Sequence, residues 1–137
     1  MHQVLGTPPR IKGLNKPMNY FKDRNIFLDC RGDIILHPTV MLGYNISIFT
    51  MSHNPHDFGL CTYRKVKIER NVFIGSHSIL YSCTIGDGAV VAIGTVVRSI
   101  NIPPNVMIAG NPCEIIATRC NGKWEYAEVP GRTLGVL

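Results

Sequence analysis

The sequence predicts an all-β protein, a parallel β-helix built from hexapeptide repeats, and three observations carry that prediction. First, aliphatic residues recur at every sixth position: Leu28, Ile34, Val40 and Ile46, then Ile68, Ile74 and Leu80, and, after one five-residue step, Ile85, Val91 and Val97. This interval suits neither an amphipathic helix nor an alternating strand, and a fixed short period marks a solenoid. Second, Asp29, Glu69, Gly75, Gly86 and Ala92 follow the aliphatic residue directly. Four places after it come Thr50, Val72, Ser78, Thr84, Ala89 and Thr95. Short side chains suit a tight corner with another coil directly above. Pro38, Tyr44 and Asn101 depart from this pattern. Third, the register breaks once, over residues 51–65, and then resumes. Each unit supplies one short strand and one turn, three units make a triangular coil, and coils stack about 4.8 Å apart.

Taken in order, residues 1–25 hold prolines at 8, 9 and 17 and no clear period, and are expected to form an irregular arm or a cap over the first coil. The β-helix is expected over 26–112. Within it, residues 51–65 (MSHNPHDFGLCTYRK) form a loop that leaves the prism and returns. Solenoids place function on such excursions, because rigid coils hold them. Pro103 and Pro104 are expected to end the regular coils, and residues 113–137 to form an irregular tail.

A chain of 137 residues suits one domain with a modest core. A prism this short has open ends and half-buried faces, and gains stability by packing against copies of itself. The net charge of +5 comes from 14 Lys+Arg against 9 Asp+Glu, a bias toward anionic ligands. No basic run or aromatic-basic stacking motif supports nucleic-acid binding. The five cysteines are odd in number and form no CxxC pair, which fits free thiols in a reducing compartment. No apolar run is long enough to span a bilayer, and residues 1–10 lack the apolar core of a signal peptide. The expectation is a cytoplasmic protein without membrane or nucleic-acid partners.

Two segments and a loop resemble a known family. Val66–His77 (VKIERNVFIGSH) resembles the segment after the loop in hexapeptide-repeat acetyltransferases of the galactoside and maltose O-acetyltransferase type. Ile102–Cys113 (IPPNVMIAGNPC) resembles the motif that closes their β-helix, and the loop start IFTMSHNP is similar to theirs. The resemblance covers about residues 28–118. It implies a left-handed prism, a homotrimer, and acetyl-CoA as acyl donor in a groove between subunits, with a small acceptor such as a sugar. Against the larger members, the chain is expected to lack their N-terminal helical region.

Carried over by position, His53 is the catalytic base, and Asn54 and His56 lie at the acceptor. Transfer to a hydroxyl needs a base near neutral pH to take the proton as oxygen attacks, and histidine is the side chain whose ordinary pKa lies there. Phe73 stands where the family often has Trp, at the acetyl and pantetheine end of the donor. Ser76, Ala92 and Ile93 fall at corners that line the pantetheine. Relatives often carry Lys and Arg for the nucleotide phosphates at positions that here are Ser99 and Glu114; Arg98 and Arg119, a few residues away, are the candidates to substitute. His2, His37 and His77 receive no catalytic role. Two other readings stand beside this one. A non-catalytic scaffold is supported by the changed phosphate positions and the missing N-terminal region. A γ-class carbonic-anhydrase-like metalloenzyme shares the prism, but the spacing of His37, His53 and His56 does not fit its three ligands, so no metal is expected.

Overall fold

The computed structural model describes residues 4–6, 11–12 and 16–127. The arm opens with two short strands, β1 (Val4–Gly6) and β2 (Ile11–Lys12), followed by helix α1 (Met18–Asp23). The first full coil holds β3 (Phe27–Cys30), β4 (Ile34–Leu36) and β5 (Met41–Leu42). The chain continues through β6 (Ser47–Phe49) into an excursion made of β7 (Met51–Asn54) and β8 (Asp57–Tyr63). It returns as β9 (Val66–Ile68), β10 (Phe73–Ile74) and β11 (Ile79–Tyr81), then β12 (Cys83–Ile85), β13 (Val90–Val91) and β14 (Val96–Arg98). The last elements are β15 (Asn101–Ile102), β16 (Val106–Ala109), β17 (Glu114–Cys120) and β18 (Lys123–Tyr126).

Three sheets form the faces of the prism. The first face runs β1-β3-β6-β11-β14, the second β2-β4-β9-β12-β15, and the third β5-β10-β13-β16-β17-β18. Pairing between coils is parallel throughout; only β16, β17 and β18 pair antiparallel within a face. All ten repeat aliphatics are at most 1% exposed, and burying each contributes about 1.5–3 kcal/mol.

The phase of the first coil differs from the sequence reading. Leu36, Leu42 and Ile48 stack under Ile68, Ile74 and Leu80. Ile34 lies under Val66, and Val40 and Ile46 precede the paired strands by one residue. The inward column therefore begins two residues later than Ile34, Val40 and Ile46. Alternate residues of a strand share one face, so each flat side turns two residues inward. Where both are aliphatic, two six-residue rows coexist and the period cannot choose between them. In the observed phase Pro38 and Tyr44 fall outside the small-residue position, which Val40 and Ile46 take instead, while Asn101 remains an exception.

Pro103 and Pro104 do not end the coils. They occupy the corner between β15 and β16, where the backbone of Pro104 lies 2.6 Å from where a Cβ on Gly86 would stand, and the coil continues to β16. Corners use left-handed backbone, which Asn and His tolerate better than most residues. Asn25, Asn45 and His77 have φ of 53°, 58° and 63°. They form one vertical column, with Asn25 Nδ2 donating to Asn45 Oδ1 at 2.7 Å.

Helix α1 covers the edge strand of the third face. Tyr20 Oη accepts from the Leu42 N–H at 3.1 Å, and Phe21 is buried in the core. An exposed edge is a pairing hazard, and covering it is a standard remedy. At the other end, β17 and β18 extend the third face. No helix among the described residues is long and apolar enough to cross a membrane.

Candidate active site

The excursion at the corner between the first and second faces is a β-hairpin rather than an irregular loop. β7 and β8 pair antiparallel, with Met51 opposite Tyr63, Ser52 opposite Thr62 and His53 opposite Cys61. At the turn, Asn54 Oδ1 accepts the His56 N–H at 2.8 Å and Asp57 Oδ1 accepts the Gly59 N–H at 3.0 Å, side-chain turns that Asn and Asp favour. β8 is exposed along its whole length, so no buried face imposes an alternating pattern and the strand is silent in the sequence. His53 lies inside β7, outside the prism.

The hairpin fixes the imidazole. His53 Nδ1 lies 2.7 Å from the carbonyl oxygen of Phe58. A carbonyl only accepts, so in the neutral ring Nδ1 carries the proton and Nε2 presents a lone pair. Cys61 Sγ lies 3.6 Å from the same Nδ1. Tyr81 Oη and Ser52 Oγ meet at 2.7 Å, tying the hairpin to the coil beside it.

The other predicted residues divide among separate corners. Asn54 and His56 share the hairpin with His53. Ser76, Ala92 and Ile93 share the corner between the third and first faces. There Ser76 Oγ accepts the Tyr44 N–H at 2.9 Å. The Ala92 carbonyl is occupied by the hydroxyls of Thr95 and Ser78, at 2.6 and 3.2 Å, while Ile93 is 72% exposed. Phe73 projects from the third face between Met41 and Val90 and is 43% exposed. Arg98 is exposed on the first face opposite Tyr81. Arg119 lies elsewhere: its guanidinium stacks 4.5 Å over Trp124 and donates to the Gly88 carbonyl at 3.2 Å, at the corner between the second and third faces. Within one chain the full width of the first face separates the His53 corner from the Ile93 corner.

Two grooves flank the hairpin that the sequence did not announce. One of about 400 Å³ is lined by Arg64, Tyr81, Ser82, Ser99, Ile100 and Asn101. Another of about 250 Å³ is lined by Gly32, Asp33, Tyr63, Arg64 and Lys65. Arg64 faces both, and its only sequence signal is its place at the end of the register break. Phe58, Leu60 and Tyr63 on the hairpin are each more than half exposed, as surface that a partner covers often is. His37 and His77 sit in corner hydrogen bonds, to Thr39 and Asn45. Among the described residues no group of three His, Cys, Asp or Glu is placed to hold a metal.

Comparison with known proteins bears on the coils. The family described as the hexapeptide repeat of succinyl-transferase matches residues 65–99. Galactoside O-acetyltransferase of Escherichia coli K12 is 30% identical over 103 residues, covering 72% of this chain and 50% of the relative. The crystal structure of a maltose O-acetyltransferase from Clostridium difficile 630 superposes with a TM-score of 0.62 at 39% identity, covering 68% of this chain and 51% of that one. A galactoside acetyltransferase in complex with coenzyme A gives 0.58 at 30% identity, with coverage of 63% and 45%. The chain spans about half the length of the curated relatives it matches. With its coils and these likenesses taken together, the chain carries hexapeptide repeats on a left-handed β-helix and is similar to the galactoside and maltose O-acetyltransferases.

Proposed function

We propose that the chain is an O-acetyltransferase that moves an acetyl group from acetyl-CoA to a hydroxyl of a sugar or related small acceptor, with His53 as general base. The observation that carries this reading is the 2.7 Å bond from His53 Nδ1 to the Phe58 carbonyl. It leaves Nε2 as the acceptor for a hydroxyl proton. The acceptor oxygen bonds to the thioester carbonyl carbon as Nε2 takes its proton. The carbon–sulfur bond then breaks, and the imidazolium returns the proton to the departing thiolate. No covalent acyl-enzyme is needed. The acceptor and donor classes rest on the relatives, one named for galactoside O-acetylation and one bound to coenzyme A.

The donor groove is assigned to Phe73, Ser76, Ala92 and Ile93. Because the first face separates these residues from His53, a second copy must supply one of the two halves. A homotrimer with a shared site at each interface meets that need, and it covers the apolar surface of Phe58, Leu60 and Tyr63.

Thiol release from acetyl-CoA, measured across a panel of sugars, tests the reading. His53→Ala is expected to lower kcat about 10²–10⁴-fold and to leave the KM for acetyl-CoA nearly unchanged. Near-full turnover by that variant on a validated acceptor would remove His53 from the mechanism. Binding of acetyl-CoA by the wild type without turnover on any acceptor would select the scaffold reading.

A further inference from the structure

Asp29 is the one charged side chain among the described residues that is fully buried, at 0% exposure. An unpaired buried carboxylate is costly, and this one is saturated with donors. Arg31 Nε donates to Oδ1 at 2.7 Å, and the Arg31 terminal nitrogen donates to Oδ2 at 3.0 Å. The Arg31 N–H reaches Oδ1 at 3.3 Å, and the Thr50 N–H donates to Oδ2 at 3.1 Å.

Thr50 is equally buried and has every polar group committed. Its hydroxyl donates to the Asp29 carbonyl at 2.6 Å and accepts the Gly32 N–H at 2.8 Å. Its carbonyl accepts the Arg64 N–H at 2.6 Å. Thr50 directly precedes β7 and Arg64 directly follows β8, so this bond closes the neck of the hairpin. Gly32 fits into the same neck. A Cβ there would stand 2.6 Å from the Arg64 carbonyl and 2.7 Å from the Thr50 Cβ. Beyond the neck, the Tyr81–Ser52 contact ties β7 to the coils. A lone two-stranded hairpin is marginal in water, so the direction in which it leaves the prism is set at its neck.

We propose that Asp29 is a positioning residue: acting through Thr50 and braced by Arg31, it holds the take-off angle of the hairpin and thereby the place of His53 Nε2. This rests on the reading of His53 as the base. Asp29→Asn keeps the shape but replaces one accepting oxygen with an amide nitrogen. Thr50→Val keeps the shape and removes the hydroxyl, and Thr50→Ser restores it.

The experiment combines steady-state acetyl transfer with native-state amide hydrogen exchange on the full chain. Asp29→Asn and Thr50→Val are each expected to lower kcat about 10–100-fold, the size of effect that an ångström of misplacement produces, with the KM for acetyl-CoA within about twofold. Protection should fall about tenfold or more for amides of residues 51–63, while amides of 79–98 keep theirs, because local openings are resolved separately from global ones. Thr50→Ser should recover both readouts, and the double variant should lose no more than the worse single one. Unchanged hairpin exchange in both variants would overturn the proposal. So would a loss of protection spread evenly over the coils, which marks a role in global stability alone. If Asp29→Asn does not fold, the Thr50 pair gives the same test. If the wild type transfers acetyl to no acceptor, the functional reading fails, and the exchange pattern still decides whether Asp29 holds the hairpin.

Discussion

Replacing Gly75 with alanine would drive a methyl group into the backbone of the coil above. A Cβ at this position stands 2.6 Å from the Ile93 nitrogen, 2.8 Å from the Ala92 carbonyl carbon and 2.9 Å from the Val91 oxygen. Comfortable contacts between such atoms lie near about 3.5 Å, so the overlap approaches an ångström. The obstacle is main chain, and it is pinned: the Gly75 N–H donates to the Val91 carbonyl at 2.7 Å, and the Ala92 N–H donates to the Ile108 carbonyl at 2.9 Å. Overpacking a core costs about 1–3 kcal/mol, and an unyielding backbone places Gly75→Ala at about 2–3 kcal/mol. For a chain of this size each kcal/mol moves the melting temperature by about 3–5 °C, which gives a fall of about 6–15 °C. Gly94 is the internal control. A Cβ there meets nothing within 4 Å, but its φ is +69°, so Gly94→Ala costs only left-handed strain of about 1–2 kcal/mol. Thermal melts followed by circular dichroism, at one fixed protein concentration because assembly shifts apparent stability, rank the two. The reasoning is wrong if Gly75→Ala melts within about 2 °C of the wild type, or if Gly94→Ala is the more damaging change.

Three further outcomes are expected. Arg119→Ala should loosen the β17–β18 hairpin, detected as faster amide exchange in 114–126, and leave the KM for acetyl-CoA unchanged, because its guanidinium is spent on Trp124 and Gly88; a raised KM would return Arg119 to the donor phosphates. In a maleimide time course read by mass spectrometry, exposed Cys61 should label first. The neighbouring Glu125 carboxylate raises the Cys120 thiol pKa and slows that residue, and Cys83, pushed up to about 12 by burial and by Cys113, should label only on unfolding. The Asp29 carboxyl is pushed up by burial but held below its usual range by the hydrogen bonds and charge of Arg31 and the Thr50 N–H, which together outweigh that burial. A depressed folded pKa gives stability that is complete above the unfolded value of about 3.9 and is lost as pH falls through the folded value. Urea unfolding between about pH 5 and 2 should therefore weaken more steeply for the wild type than for Asp29→Asn, and parallel curves would contradict it.

The sequence by itself determined the coil, because a six-residue period in Ile, Leu and Val has no other compact solution and every one of those side chains is buried. It also determined that something leaves the prism between Thr50 and Val66, because the register there fails. It did not determine the phase of the first coil. Both inward rows are aliphatic in that coil, and a period carries no origin unless small residues mark one row. The hairpin form of the excursion and the buried Asp29–Thr50 neck were likewise invisible. An element exposed on both sides has no hydrophobic pattern to read, and a clamp joining residues 29, 31, 32, 50 and 64 exists only once the coils stack. The tertiary structure alone decided the distribution of the site. His53 was singled out by the family resemblance of its loop, whereas the orientation of its ring comes from a carbonyl across the hairpin. Ser76, Ala92 and Ile93 sit a full prism face away from it, since a six-residue step turns the chain to the next face, and adjacent segments of sequence end on different sides of the molecule.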